Sequence, residues 1–221
     1  MKKKIYLLLT LSCVICSFIF QSCNEEKIDN MKYILGTVKK IDETSYYFTN
    51  GKDTFLPVNE YSYEVTDGQR AFVYFYISSK ENMNYDYNID VQDIKNVLTK
   101  DVVEVTEDNK DSFGNDKAKI VDVSITDGYL NLRFHAPSGS KDMVVNLVKN
   151  DINPLGGIND DDRVVLEFRL KNENTDTANS LGSGIVSFKL GKYDPETLKK
   201  SGIRLVYRDL NDNIIDIKIE R

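Results

Sequence analysis

The 221-residue chain contains no tryptophan, four prolines, a single histidine at position 135, and no cysteine beyond position 23. Each absence removes chemistry. Without cysteine after Cys23, the folded part can hold no disulfide, no thiol nucleophile and no cysteine zinc site. With one histidine, a multi-histidine metal centre is excluded, and a serine-type triad would have to use His135. In YLNLRFHAP, residues 129–137, Leu130, Leu132 and Phe134 alternate onto one face, and His135 falls opposite them with Asn131 and Arg133. That is the pattern of a solvated strand histidine. The chain has no G-x-S-x-G elbow, no P-loop and no H-E-x-x-H pair, and LGSGIVS lacks both the spacing and the following helix of a dinucleotide fingerprint. No catalytic residue, no cofactor and no metal is therefore expected. Long apolar runs are also scarce. One exists, Ile5 to Phe20, and it is shorter than the ~20 residues that span a bilayer.

That run has the build of an export leader. Lys2, Lys3 and Lys4 precede it, and Gln21 and Ser22 close it with polar and small side chains, as before a cleaved bond. Phe20-Gln21-Ser22-Cys23 resembles a bacterial lipobox, with Phe20 where leucine is usual. Cys13 is a weaker alternative because it leaves too short an apolar stretch. The resemblance implies that residues 1–22 are removed and that Cys23 becomes a diacylglyceryl-modified and acylated N-terminus, the start of a tether over 23–30. Two or three acyl chains hold a protein stably where one myristoyl-sized chain does not. The expected location is thus the outer membrane, on its periplasmic or its cell-surface face. Asn24-Glu25-Glu26 resembles the acidic signal that directs lipoproteins to the cell surface in Bacteroidetes-type bacteria. Loss of three lysines with the leader takes the net charge from −6 to −9. An acidic exported protein is a poor nucleic-acid binder, since Lys and Arg contacts to phosphate dominate that affinity.

The remaining sequence has a period of two. RVVLEFRLK sets Val164, Leu166, Phe168 and Leu170 against Arg163, Glu167, Arg169 and Lys171; IIDIKIER sets Ile215, Ile217 and Ile219 against Asp216, Lys218 and Glu220. Such alternation predicts half-buried antiparallel strands. Turn signals separate them at TDGY 126–129, APSGS 136–140, NPLGG 153–157 and DLNDN 209–213. Two short helices are predicted or allowed: DPETLKKSG, capped by Asp194 and ending at Gly202, and VQDIKNVLTK, whose β-branched residues equally permit a strand with a turn. Nine tyrosines fall between Tyr33 and Tyr87, and only Tyr129, Tyr193 and Tyr207 follow. This shift in composition, with the polar stretch 107–117 after it, predicts two domains. Residues 31–106 have room for about five short strands of a small barrel, and 118–221 for seven or so strands of an antiparallel β-sandwich. The fold class is all-β.

YILGTVKKID, NVLTKDVVEVTED, FGNDKAKIVDVSITDGYLNLRF, VVLEFRLKNEN and LGSGIVSFKL resemble, in order, segments of the NigD-like lipoproteins of Bacteroidetes. The resemblance implies an N-terminal OB-like barrel followed by a C-terminal β-sandwich, and a bacteriocin-immunity role of the kind supposed for the family. It carries over no catalytic residue and no ligand.

Three stretches are candidate sites. DLNDNIIDIKIE places Asp209, Asn211, Asn213 and Glu220 at calcium-loop positions, but Ile214 stands where the loop needs glycine, and a hairpin turn fits better. Asp160, Asp161 and Asp162 cluster ahead of a strand, as turn aspartates commonly do. The third is aromatic. In RAFVYFYIS, Val73, Phe75 and Ile77 make one face and Phe72, Tyr74 and Tyr76 the other. The first face fills a barrel, which leaves Phe72, Tyr74 and Tyr76 as the candidate binding face, extended by Tyr46, Phe48, Tyr61 and Tyr63, or else buried against the second domain. The expected function is a lipid-anchored, non-catalytic binding or interaction protein with a protein or glycan partner in the envelope. The alternative is a carboxylate-dependent hydrolase of a surface polysaccharide.

Overall fold

The computed structural model describes residues 31–78, 84–137, 143–157, 162–172 and 180–220. The leader, Cys23, Asp160 and Asp161 lie outside the described residues. No helix among the described residues is long and apolar enough to cross a membrane.

Five strands form a closed barrel: β1 (Lys32–Lys40), β2 (Tyr46–Asn50), β3 (Asp53–Pro57), β4 (Arg70–Ile77) and β5 (Tyr87–Asn96), in the order β1-β2-β3-β5-β4. Alternation builds it. Val38, Phe48, Phe55, Val73, Phe75, Ile89 and Val91 point inward and are buried, so residues two apart share the interior. β4 and β5 shift register at Tyr74/Phe75, leaving Gln92 between the residues paired to them.

The sandwich packs a five-stranded sheet, β14-β13-β11-β10-β7, on a four-stranded sheet, β6-β12-β9-β8. Its strands are β6 (Leu98–Asp101), β7 (Val103–Glu104), β8 (Lys119–Thr126), β9 (Tyr129–Pro137), β10 (Met143–Lys149), β11 (Arg163–Asn172), β12 (Leu181–Lys189), β13 (Gly202–Arg208) and β14 (Ile214–Glu220). Adjacent pairs are antiparallel except β6–β12, β7–β10 and β11–β13, which are parallel. Leu130, Leu132, Phe134, Leu147, Leu166, Phe168, Val186, Phe188 and Leu205 form its dry centre. A Cβ at Gly184 would stand 2.5 Å from the Phe134 ring, so the glycine in β12 is the floor on which that ring lies.

Three expectations are corrected. The domain boundary falls at Val97, ahead of the polar stretch: β6 and β7 pair with β12 and β10 and belong to the sandwich. Residues 107–117 are folded onto that domain, with Phe113 buried, Asp116 N–H donating to the Leu170 carbonyl, and the Asp116 carboxylate accepting from Asn172 N–H. Polar composition concealed these anchors. For VQDIKNVLTK, of the two alternatives, the strand with a turn is the one formed: it is the end of β5 and the start of β6. Residues 194–201 form turns and bends between a 3-10 helix at Gly191–Tyr193 and β13; the Asp194 carboxylate accepts from Glu196 N–H, and Lys199 adopts φ 54°, which ends any helix.

Candidate functional site: a cleft between the two domains

The site begins at a turn. β8 and β9 are joined by Asp127 (φ 54°) and Gly128 (φ 76°), the paired positive dihedrals of a type I′ hairpin, for which Asp-Gly is suited. The Asp127 side chain reaches the barrel. Its Oδ2 accepts from Thr37 Oγ1 at 2.9 Å, Thr49 Oγ1 at 3.1 Å and Arg70 Nη1 at 3.1 Å, and its Oδ1 accepts from Gly51 N–H at 2.9 Å. Arg70 is fully buried; it also donates to Thr37 Oγ1 and Thr126 Oγ1 and lies 5.3 Å from the Tyr129 ring centre. Burial pushes the Arg70 guanidinium below its usual value, and Asp127 and Tyr129 pull it back. The Tyr129 hydroxyl donates to the Gly68 carbonyl at 2.7 Å.

From this junction two walls run outward. On the barrel, the register places Thr37 opposite Arg70, Leu35 opposite Phe72, and Tyr33 opposite Tyr74. On the sandwich, Thr126 is opposite Tyr129, Ser124 opposite Asn131, and Asp122 opposite Arg133, with Ile185 beyond Arg133. Exposure rises along both: Arg70 is buried, Phe72 and Tyr74 are half-buried, and Tyr33 is 68% exposed; Asn131 is buried and Arg133 exposed. The cleft between them has a volume of about 640 Å³. Its barrel wall is aromatic, with Tyr33 5.9 Å from Tyr74 and 6.4 Å from Phe72, centre to centre. Lys95 Nζ stands 5.2 Å over the Tyr74 ring. Its sandwich wall carries the polar groups Asp122, Ser124, Asn131 and Arg133, beside Leu132 and Ile185. Asn131 donates to Thr126 Oγ1 and accepts from Ser187 Oγ, whereas neither Asp122 nor Arg133 has a hydrogen-bond or ion-pair partner among the described residues. A bulge at Val121 lets Ile120 and Val123 both pack on the core while Asp122 faces out.

Phe72 and Tyr74 thus line the cleft; Tyr76 shares their face, is half-buried, and does not line it. The proposed extension of that face does not hold. Tyr46 and Phe48 belong to the barrel core, and Tyr61 and Tyr63 pack against it. Burial, then the neighbouring Tyr63 and Tyr61, push the Tyr46 phenol up to about 12. Tyr46 and Tyr61 border a second cavity of about 660 Å³. There Asn59 is bound to the Val91 backbone and the Tyr61 hydroxyl to Asp93, while Glu60 and Ser62 on its rim are exposed.

The other candidates are accounted for locally. Asp209 Oδ1 accepts from the N–H groups of Asn211 and Asn213, making the hairpin turn before β14. Asp162 accepts from Lys200 at 3.3 Å. His135 is a half-buried residue of β9, opposite Lys119 and Ser183. Among the described residues, no group of three His, Cys, Asp or Glu side chains could hold a metal ion. Glycoside hydrolysis uses a pair of carboxylates; the described lining of the inter-domain cleft supplies one, Asp122.

Comparison with known proteins follows the same division. The family described as the NigD-like N-terminal OB domain matches residues 35–97, and the NigD-like C-terminal beta sandwich domain matches 101–221. The fold is similar to a protein of unknown function from Bacteroides vulgatus at 26% identity and TM-score 0.73, covering 87% of this chain and 91% of that one. A candidate toxin-related protein from Parabacteroides distasonis gives 26% identity and TM-score 0.68, with 86% and 93% covered. A NigD-like immunity protein from Bacteroides caccae gives 15% identity and TM-score 0.57, with 86% and 93% covered. No curated protein matches the chain.

Proposed function

Because the chain belongs to the NigD-like family, whose matched domains are the two that enclose the cleft, we propose that it is a non-catalytic binding protein held on the outer membrane by acyl chains at Cys23, with the inter-domain cleft as its binding surface. The observation that carries this reading is the pairing of an aromatic wall with a polar wall whose Asp122 and Arg133 lack partners among the described residues. Large apolar side chains beside a few convergent polar groups are the ordinary composition of a ligand site. An immunity role, as in the name of the Bacteroides caccae relative, is one form such binding takes: the lipid holds the protein where an incoming partner or its envelope receptor is met.

The test is made in cells. A photoreactive amino acid at Ile185, at the cleft mouth, should cross-link an envelope component, while the same group at Val144, exposed on the other sheet, should not. Alkyne-palmitate should label the protein and fail to label Cys23→Ala. No cross-link from Ile185, or label surviving in Cys23→Ala, contradicts the reading.

A further inference from the structure

The two walls of the cleft differ in a way that selects a ligand class. We propose that the cleft binds a saccharide; this rests on the cleft being the binding surface. The rings of Phe72 and Tyr74 both meet that of Tyr33, at 6.4 and 5.9 Å and tilted by 55° and 32°, so the three make one aromatic cluster. Directly across it stand the Asp122 carboxylate and the Arg133 guanidinium, neither with a partner among the described residues, and the Ser124 hydroxyl. A ligand that fits must therefore present an apolar face to one wall and closely spaced hydroxyl groups to the other. A sugar ring does both: its axial C–H face lies on aromatic rings, and its hydroxyls donate to Asp122 and accept from Arg133.

Other occupants fit worse on the same observations. A peptide adding as a strand needs an open sheet edge, yet β1 and β4 are paired on both sides in the closed barrel, and β9 and β12 lie inside their sheet. Of the described strands that line the cleft, β8 alone is an edge, and it is the side chains of β8 that enter the cleft. A wholly apolar ligand would strip water from Asp122 and Arg133 without replacing their hydrogen bonds, which is costly. Nucleic acid is opposed by the carboxylate in the site and by the acidic chain. The site is also separate from the β2–β3 face that OB-type barrels commonly use, since it lies on β1 and β4.

The experiment uses the intact lipoprotein in a detergent without a sugar headgroup, applied to a printed oligosaccharide array, with tyrosine fluorescence following titration of each retained oligosaccharide. The chain has no tryptophan, so tyrosine emission is visible, and loss of the change in Tyr33→Ala assigns it to the cleft. We expect retention, a fluorescence change, and an affinity loss of about tenfold or more for Tyr33→Ala and for Asp122→Asn, with Val144→Ala unaffected. Both cleft positions are exposed, so these variants should fold, and unchanged circular dichroism verifies it. An empty array, or binding that survives both cleft variants, overturns the proposal. An empty array alongside a protein cross-linked from Ile185 removes the saccharide and leaves the binding surface standing; an empty array with no cross-link removes both.

Discussion

The barrel and the sandwich bury their cores with different materials. The barrel fills a narrow five-stranded interior with rings, Tyr46, Phe48, Phe55 and Phe75, and a few β-branched residues. The sandwich fills a broader space mainly with leucine, at 130, 132, 147, 166, 170, 190 and 205, with rings at 134, 168, 188, 193 and 207 among them. Their outer faces differ in the opposite sense. The barrel still has tyrosines to place outside, at 33 and 74, whereas the sandwich places Asp122, Ser124, Asn131 and Arg133 there. The cores make each domain stable; the contrast between the outer faces, brought together by the Asp127 turn, makes a site that neither domain has alone.

The largest effect should come from cutting that junction. Asp127→Ala leaves the Arg70 guanidinium buried without its counter-charge, which costs about 3–5 kcal/mol. Urea denaturation should show that loss, and calorimetry should show the two domains melting apart. A change below about 1 kcal/mol would mean that the domains are joined by something else. Next comes the contrast between core and outer face within one sheet packing. Leu166→Ala in the fully buried sandwich centre should cost about 2–5 kcal/mol, against about 0.5 kcal/mol for Ile185→Ala on the exposed cleft side. Similar losses at the two positions would place Ile185 in a packed interface.

Alkali should weaken both domains, since burial raises Tyr193 and Tyr207 in the sandwich as well as tyrosines of the barrel. Tyr46 has a folded value of about 12 against 10.0 unfolded. A raised folded value means that its contribution is complete below pH 10 and is lost as the pH rises toward 12. Burial shifts Tyr63 upward too, at the same end of the barrel, so barrel stability should fall across that window. Tyr46→Phe should flatten the fall, as read by denaturation at successive pH values. An unchanged pH profile in Tyr46→Phe would show that the phenol does not drive it.

The strands were legible because one face of each is core. Val73 and Phe75, or Leu166 and Phe168, cannot be moved by one residue without exposing the interior. The Asp-Gly hairpin was legible for its own chemistry. The domain boundary was not: Leu98–Glu104 carries no compositional sign of which sheet it joins, and its pairing with β12 and β10 crosses long sequence distances. Parity likewise put Phe72, Tyr74 and Tyr76 on one outer face, but it could not show what stands opposite. Asp127 read as a turn residue only; its hold on Arg70 spans 57 positions, and no local signal marks it. Tyr46 and Phe48 were misplaced because their inward direction depends on the register Phe48↔Val38, which an isolated strand does not reveal.

The central claim is that the rings of the barrel wall are used for binding and not for holding the domains together. Tyr74→Ala decides it when melting temperature and cross-linking from Ile185 are measured on the same preparation. The account predicts a stability loss under about 1 kcal/mol, a shift of roughly 2–4 °C or less, with the cross-linked species gone. A loss of about 2–4 kcal/mol, in the range for a buried ring, or an undiminished cross-link, would contradict it.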